Sequence, residues 1–251
     1  MHGHDANEML VPFRDADGEG AIVFDPRRLP QPRPDAFDPA HWGAGARAVG
    51  GSGRGAAWFV DAPDGSMVLR HYLRGGQAAR ISRDQFLWHG PRRTRGLAEF
   101  RLLQALHARG LPVPAPIAAM YRRSGVAYRA AILLERIPGA QSLADLLAAG
   151  GDGPLPWQAS GAMVARFHRA GVRHADLNAH NILFDDHGAP WLIDFDKGAM
   201  RRHSGAWQSA SLDRLERSLR KLGDTLPTAA LDARIGWLRN AYAAAITGGR
   251  A

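Results

Sequence analysis

The sequence predicts an α+β fold in two lobes, a β-rich N-terminal lobe and a mostly helical C-terminal lobe. Strand-like apolar segments lie in the first part of the chain, and apolar residues at helical spacing dominate from residue 142 onward. Two short strand-like segments with polar residues on both sides interrupt the helical part. A chain of 251 residues is long enough for one large domain or for two small lobes that share a cleft.

We divide the chain into an N-terminal arm over 1–43, an N-lobe over 44–136 and a C-lobe over 137–251. The arm contains one strand-like run, Ala21–Phe24. Five prolines then interrupt any regular element, at positions 26, 30, 32, 34 and 39. This composition predicts an extended, loop-rich segment.

The N-lobe is expected to contain a β-hairpin, one helix and a further strand. The hairpin is predicted from Trp58–Val60 and Met67–Leu69, which flank a Pro-Asp-Gly turn. Apolar residues at helical spacing predict a helix over Leu97–His107. A proline-rich segment over 112–116 indicates a rigid connector, and a strand is expected over Tyr128–Leu134.

The C-lobe is predicted to be built mainly from helices. Ser142 is a plausible N-cap for the first of them. An amphipathic helix is expected over 157–170, and leucines at helical spacing predict two more, around 212–222 and 231–242.

The polar groups most informative about chemistry lie between these helices. The chain reads His174-Ala175-Asp176-Leu177-Asn178-Ala179-His180-Asn181, and thirteen residues after Asn181 comes Asp194-Phe195-Asp196. This is the H-x-D-x-x-x-x-N and D-F-x pattern of kinases. Ile182–Phe184 and Trp191–Ile193 predict two short strands joined by a hairpin turn, the local structure that this pattern requires. The sequence therefore predicts phosphoryl transfer from ATP.

Each polar group of the pattern has an expected role. Asp176 is the candidate base, which accepts or orients the proton of the substrate hydroxyl. Asn181 and Asp194 are the candidate Mg²⁺ ligands, since Mg²⁺ prefers hard oxygen donors and phosphate co-ligands. Asp196 replaces the glycine of D-F-G and is either a further metal contact or, as we favour, a turn residue. His174 is expected to brace the loop by a backbone hydrogen bond.

Nucleotide binding is expected to involve a glycine-rich run and the segment that connects the lobes. Gly51, Gly53 and Gly55 could cover the phosphates with exposed N–H groups, and the alternative is a flexible linker. Their position just before a predicted hairpin favours the phosphate-covering interpretation. ATP is expected between the lobes, which makes Glu135 and Ile137 in the connecting segment two further candidates.

The cation on the ATP phosphates is not a lysine, because no lysine precedes residue 197. Kinases pair this cation with a helix glutamate. Arg70 stands at the end of the second hairpin strand, and Glu99 lies in the helix that follows. We therefore predict Arg70 for this role, with Arg80 or Arg83 as alternatives. Glu99 is its predicted partner or, alternatively, an ordinary solvated helix charge.

The charge and composition restrict the partners. A net charge of +8 favours a polyanionic partner, namely nucleic acid, anionic lipid or a phosphorylated substrate, although an arginine-rich genome composition is a simpler explanation. Eight arginines between residues 70 and 101 form either a solvated basic surface or a docking surface for an anionic substrate. The chain has no cysteine, which excludes disulfides and thiolate metal sites. No transmembrane run and no secretory signal are visible.

Six segments, spread over most of the chain, share their sequence with one known family. They are Leu69–Gly76, Arg83–Trp88, Leu111–Pro116, His174–Leu183, Asp194–Gly198 and Asp213–Lys221. These segments resemble the 3-deoxy-D-manno-octulosonic acid (Kdo) kinase family, which belongs with the lipopolysaccharide core heptose kinases. The R-H-Y-x-R-G-G and H-A-D-L-N-A-H-N segments are the most specific part of the resemblance.

The resemblance implies a bilobal protein-kinase-like enzyme that phosphorylates the 4-hydroxyl of Kdo on a lipid A precursor with ATP. It implies a location against the cytoplasmic face of the inner membrane of a Gram-negative bacterium. The implied partners are the glycolipid and the anionic membrane surface, without nucleic acid. By their positions in the shared motifs, the resemblance implies that Asp176 is the base and that Asn181 and Asp194 are the metal ligands.

Three alternatives remain open at the level of the sequence. A heptose kinase of the same pathway would have the same fold and chemistry. An atypical protein kinase is a second alternative, but the absence of the D-F-G glycine and of an A-P-E segment argues against a peptide platform. A non-catalytic glycolipid-binding scaffold is the third, and the missing lysine is its best argument.

Overall fold

The structure is a computed structural model that describes residues 8–49, 57–62, 65–73, 84–150, 153–202 and 205–248. The chain divides into two compact units. The first consists of Met1–Gln104 and Ala115–Arg136, and the second of Ala105–Pro114 and Ile137–Ala251. Sheets and helices are both present, which confirms the predicted α+β class.

The first unit is built around one antiparallel sheet, to which eight strands contribute within the described residues. Seven of them lie in the order β1-β2-β7-β8-β5-β4-β3, and β6 pairs with β8. The strands are β1 (Met9–Asp15), β2 (Gly18–Phe24), β3 (Ala46–Ala48), β4 (Ala57–Ala62), β5 (Gly65–His71), β6 (Phe86–Leu87), β7 (Pro116–Ser124) and β8 (Ala127–Glu135).

The predicted strands of this unit are confirmed. β4 and β5 form the expected hairpin, in which Trp58 is paired with Leu69. β8 covers the expected strand over Tyr128–Leu134. Ala21–Phe24 belongs to β2, whose apolar residues are buried because β2 lies between β1 and β7 and packs on the core beneath the sheet.

The sequence analysis missed four strands of this unit, namely β1, β3, β6 and β7, of which β1 and β7 contain proline. β7 begins at Pro116, in the segment expected to be a rigid connector, and an irregularity in its pairing follows that proline. A proline fits the first residue of a strand, because its missing N–H is not needed for the ladder there. β1 contains Pro12 on the edge of the sheet, and its mostly exposed residues give no burial pattern. Part of the segment 1–43, expected to be an extended arm, therefore lies in the sheet.

Helix α1 (Arg95–Ala108) lies close to the sheet and confirms the predicted helix. A Cβ atom on Gly96 would lie 3.2 Å from the carbonyl oxygens of Met120 and Ala131, so the first turn of α1 approaches β7 and β8 closely. Phe100 and Leu103 are fully buried. This close approach fixes the position of the neighbouring Glu99.

The second unit combines four helices with short strands within the described residues. A three-stranded sheet has the order β12-β11-β9, and β10 pairs with β13. The elements are β9 (Gln141–Ser142), α2 (Leu143–Ala148), α3 (Leu155–Arg169), β10 (Val172–Arg173), β11 (Ile182–Phe184), β12 (Pro190–Leu192), β13 (Ala199–Met200), α4 (Gly205–Leu222) and α5 (Thr228–Thr247).

Local sequence signals explain several of these elements. Ser142 caps α2 as predicted: its Oγ accepts the Asp145 N–H, and the Asp145 carboxylate accepts the Ser142 N–H at 2.9 Å. β11 and β12 form the predicted hairpin. Its turn is closed by Asp185 Oδ1, which accepts the N–H groups of His187 and Ala189.

Helices α3 and α5 pack against each other more closely than any other pair of elements in this unit. Gly161 permits this approach, because a Cβ atom there would collide with the backbone carbonyl of Leu238 in α5. β10 follows α3, and the loop after β10 carries the polar pattern identified in the sequence.

Candidate active site

The first unit contains a buried ionic cluster at the end of β5. Arg70 Nη2 lies 2.5 Å from Glu99 Oε2, and the Tyr72 hydroxyl donates to the same oxygen at 2.6 Å. The Arg70 guanidinium lies 5.0 Å from the centre of the Tyr72 ring. Glu99 comes from α1, and its side chain is 1% exposed, whereas the Arg70 side chain is 17% exposed. The structure therefore brings together the two residues that the sequence paired.

The buried Glu99 carboxylate depends on Arg70 and Tyr72. A carboxylate removed from water requires a cation and hydrogen-bond donors to remain charged, and Arg70 and Tyr72 supply both. Burial, and next to it the Glu99 carboxylate, raises the pKa of the Tyr72 phenol well above its ordinary value. The phenol therefore stays protonated and donates to Glu99. The guanidinium of Arg70 is held by a rigid partner rather than by a mobile surface carboxylate.

The other predicted nucleotide-binding residues do not belong to the cluster of Arg70, Tyr72 and Glu99. Glu135 ends β8, and its carboxylate pairs with Arg28 at 2.9 Å. Ile137 is buried at the start of the long segment of the second unit. The glycine run with Gly51, Gly53 and Gly55 lies outside the described residues, as do Arg80 and Arg83. Nucleotide binding by these residues stays a prediction.

The second unit holds the polar pattern in a loop between β10 and β11. Asn178 begins a short 3₁₀ turn over Ala179–Asn181, and its Oδ1 accepts the N–H groups of His180 and Asn181. Asn181 in turn donates from Nδ2 to the backbone oxygen of Asp176 at 2.9 Å. The loop thus has a defined shape that places Asn181 and Asp176 next to each other.

His174 joins this loop to the residues before Asp194. Its Nδ1 accepts the Asp176 N–H at 3.2 Å, and its Nε2 lies 2.9 Å from the carbonyl oxygen of Ile193. Burial lowers the pKa of His174, against the opposing effect of a backbone hydrogen bond to Ile193 and of the two nearby carboxylates. The ring is therefore neutral, with its proton on Nε2, which donates to Ile193. The bracing role predicted for His174 is confirmed.

The backbone at Asp194 has an uncommon conformation. Its φ is 63°, in the left-handed region that few residues other than glycine adopt. Lys197 has a φ of 62°, and the N–H of Gly198 donates to the carbonyl oxygen of Phe195 at 2.7 Å, which closes a tight turn. Asp196 lies in this turn, in line with the role that we favour for it. Backbone strain of this kind is concentrated at functional sites.

The donor atoms of the site limit how a metal ion could be bound. Among the described residues, no group of three or more His, Asp or Glu side chains is placed to hold a metal ion by itself. The Nδ2 of Asn181 is committed to Asp176, so the amide oxygen is the atom that it can offer to a metal. One amide oxygen and one carboxylate fit a Mg²⁺ ion whose remaining ligands are phosphate oxygens and water.

The Asp176 carboxylate is accessible and is held on both sides. Its Oδ1 accepts from Arg214 Nη1 at 3.0 Å, and its Oδ2 accepts from Asn178 Nδ2 at 3.1 Å. The side chain is 61% exposed, so a substrate hydroxyl can approach it. The sequence analysis assigned no role to Arg214 or Asn178.

Tyr72 is a third residue whose role the sequence analysis did not assign. A signal for it was present, since Tyr72 follows Arg70 by two residues and therefore projects to the same side of the extended chain. No local signal identifies Arg214, which lies 38 residues from Asp176 in the sequence.

The arginines between residues 70 and 101 have different surroundings. Arg70 pairs with Glu99, Arg95 lies over the ring of Phe86 at 4.3 Å, and Arg101 pairs with Glu8 at 2.6 Å. A docking surface made of these residues stays a prediction. Among the described helices, none has the length and apolar character needed to cross a membrane.

Asp176 and Asn181 in the loop between β10 and β11, with Asp194 after β12, have the pattern of a kinase, an enzyme that transfers a phosphoryl group to an alcohol. Comparison with known proteins identifies the kind of kinase. Residues 40–242 match the family described as the lipopolysaccharide kinase (Kdo/WaaP) family. The chain therefore belongs to this family.

Similar proteins from two genera carry the same name, "3-deoxy-D-manno-octulosonic acid kinase". The protein from Stenotrophomonas maltophilia strain R551-3 is 60% identical over 222 residues, which cover 88% of this chain and 89% of the relative. The protein from strain K279a is 56% identical over 242 residues, with 96% and 97% covered. The protein from Xanthomonas euvesicatoria pv. vesicatoria is 54% identical over the same shares.

The Tyr72–Glu99 hydrogen bond gives a prediction about stability. Tyr72→Phe removes a donor from a buried carboxylate while keeping the ring, and we expect it to lower the free energy of unfolding by about 1–3 kcal/mol. Urea denaturation measures this change. Tyr121→Phe is the matched control, because the Tyr121 ring stacks on Trp88 and its hydroxyl has no hydrogen-bond partner among the described residues. Equal stability of the two variants would contradict the role of Tyr72.

Proposed function

We propose that this chain is an ATP-dependent kinase that phosphorylates the 4-hydroxyl of Kdo on a lipid A precursor. One observation carries the proposal: the hydrogen bonds of His174 and Asn181 bring the three groups needed for phosphoryl transfer into one loop system. The choice of acceptor rests on the relatives, which are named for this sugar acid and cover nearly the whole chain.

Asp176 acts on the acceptor. The acceptor hydroxyl oxygen attacks the γ-phosphorus of ATP, the bond from that phosphorus to the bridging oxygen breaks, and ADP leaves. Asp176 orients the hydroxyl and accepts its proton. The accessible carboxylate, held by Asn178 and Arg214, presents its oxygens in a fixed direction, and such positioning is a large part of the rate enhancement.

Asn181 and Asp194 would hold Mg²⁺, which neutralises negative charge on the phosphates when it is bound. Their own contribution is orientation. Asn181 is fixed through its nitrogen, and the left-handed backbone at Asp194 sets the direction of its carboxylate. This preorganisation reduces the ordering that metal binding would otherwise require.

Arg70 is the proposed phosphate-binding cation of the first unit. Glu99 and Tyr72 hold its guanidinium in place, as a helix glutamate holds the lysine in other kinases. Gly51, Gly53, Gly55, Glu135 and Ile137 are the further proposed nucleotide contacts. In this proposal the chain is a bilobal kinase with an N-lobe over 44–136 and a C-lobe over 137–251, preceded by the segment 1–43.

The proposal includes a peripheral location on the cytoplasmic face of the inner membrane. A lipid-anchored acceptor and a net charge of +8 both favour it. Sedimentation with phosphatidylglycerol vesicles tests it, with binding expected to weaken as salt screens the charges. No binding at low salt, or equal binding to uncharged vesicles, would argue against this location.

The reaction is tested with labelled ATP, Mg²⁺ and a panel of acceptors. We expect label on Kdo-bearing lipid A precursors. Transfer only to heptose-bearing precursors would assign the chain to the heptose kinases, and transfer only to serine-containing protein would assign it to the protein kinases. No transfer to any acceptor would favour a non-catalytic scaffold.

Two substitutions separate the proposed roles of the carboxylates. Asp176→Ala is expected to reduce transfer by roughly 10²–10⁴ while nucleotide binding survives, because it removes only the base. Asp194→Ala is expected to abolish the Mg²⁺ dependence of nucleotide binding. Asp186→Ala, in the exposed turn between β11 and β12, is the control and should match the unmodified chain. Small and equal effects of the first two substitutions would refute the assignment.

Arg70 is tested by removing its charge and by changing its shape. Arg70→Ala should weaken nucleotide binding and slow transfer. Arg70→Lys should retain partial activity, since a lysine has a point charge and a shorter reach, and a misplacement of about 1 Å can cost about 10²-fold in rate. Arg47→Ala removes an exposed arginine that pairs with Asp61 in the same unit, and it is the control. Unchanged ATP affinity and turnover in both Arg70 variants would transfer the role to another arginine.

A further inference from the structure

Arg214 lies beside the carboxylate of Asp176. The proposed mechanism gives this arginine no role other than to orient that carboxylate. Arg214 lies on α4, and its Nη1 donates to Asp176 Oδ1 at 3.0 Å. One turn further along the helix, Ser218 Oγ accepts the N–H of Ala179 at 3.2 Å. Leu215 and Leu219, the residues next to Arg214 and Ser218 on the helix, are buried. Two contacts to the loop and a buried apolar face therefore fix the position of Arg214.

Stability does not explain the Arg214–Asp176 pair. The two side chains are 52% and 61% exposed, and ion pairs with such exposure contribute little to folding. Asp176 is also oriented without the arginine, since Asn178 binds Oδ2 and His174 binds the backbone N–H. A guanidinium has five N–H donors, and this side chain is 52% exposed although its Nη1 donates to Asp176. The arginine can therefore bind a second anion beside the carboxylate.

The chemistry of the acceptor supplies such an anion. A sugar acid carries a carboxylate on the same small ring system as the hydroxyl that is phosphorylated. This hydroxyl must come within hydrogen-bond distance of Asp176 for transfer. The acceptor carboxylate and Asp176 are then two negative charges a few ångströms apart, which repel each other unless a cation lies between them. Arg214 is placed where that cation is required.

We propose that Arg214 binds the carboxylate of the sugar-acid acceptor and thereby selects acidic over neutral sugars. This inference rests on the proposed function. A guanidinium matches a carboxylate with two parallel hydrogen bonds, so it fixes the orientation of the ring as well as its charge. In this proposal one N–H group of Arg214 donates to Asp176, and other N–H groups donate to the carboxylate of the acceptor.

The test combines a change in the enzyme with a change in the acceptor. Unmodified chain and Arg214→Ala are assayed on the Kdo-bearing lipid A precursor and on the same precursor with its carboxyl group reduced to an alcohol. We expect each change alone to raise KM for the acceptor, lowering kcat/KM by roughly tenfold to a hundredfold, the range for a charged hydrogen bond. We expect the two changes together to cost no more than one of them. Arg214→Lys should recover part of the loss.

Losses that multiply would overturn the proposal, because they would show that Arg214 acts only through Asp176. The same conclusion follows if Arg214→Ala lowers kcat and leaves KM unchanged, or if the reduced acceptor is as good as the natural one for the unmodified chain. The last comparison requires no variant, so it can refute the proposal even if Arg214→Ala fails to fold, and Arg214→Lys is then the variant in which the coupling is measured. Arg217→Ala, at an exposed arginine on the same helix, is the control and should leave both parameters unchanged.

The same assays distinguish an error in the proposed function from an error in the proposed role of Arg214. If the unmodified chain phosphorylates neither form of the Kdo acceptor but phosphorylates a heptose-bearing precursor, the choice of acceptor is refuted, and the role of Arg214 with it. If the unmodified chain uses the Kdo acceptor and the losses multiply, the proposed function stands and only the role of Arg214 is refuted.

Discussion

The neutral ring of His174 is the constraint on which the catalytic loop depends. It accepts a hydrogen bond from Asp176, the proposed base, and it lies within hydrogen-bond distance of the carbonyl oxygen of Ile193, to which it donates. The ring can make both bonds only while it has a single proton, and its burial keeps it in that state. Asn181 then adds a bond to the backbone of Asp176. A network of this kind fixes several functional groups through backbone contacts and leaves their reactive oxygens available.

Two arginine–carboxylate pairs in this chain have opposite characters. The pair of Arg70 and Glu99 is buried, and its carboxylate depends on its partners to remain charged. The pair of Arg214 and Asp176 is exposed, and either member can exchange its partner for a substrate at low cost. The first arrangement suits a fixed binding element, and the second suits a site where groups arrive and leave. Burial therefore distinguishes the pair that supports a fixed side chain from the pair that we propose contacts the acceptor.

The sequence predicted those parts that depend on local signals. The β11–β12 hairpin, the cap at Ser142 and the pairing of Arg70 with Glu99 follow from turn residues, capping residues and the order of elements. β1 and β7 were not recognised, because their prolines resemble loop signals, although each strand pairs with its neighbour in the chain across a short turn. The pairing of β7 with β2 joins distant segments, and no local signal encodes it. The contact between Arg214 and Asp176 joins residues 38 positions apart, and the fold of α4 onto the loop decides it. No periodicity or spacing within the sequence encodes such a contact.

The arginine at position 70 also determines which chemical reagents can modify the proposed phosphate-binding cation. Lysine acetylation removes the charge of an ammonium group, and acylating probes act on the same amine. A guanidinium does not undergo that modification under the same conditions. The two lysines of the chain, Lys197 and Lys221, both lie in the second unit, the former in the turn after Phe195. An acylating reagent would therefore leave Arg70 unmodified and would modify Lys197, in the turn beside Asp194, and Lys221 instead.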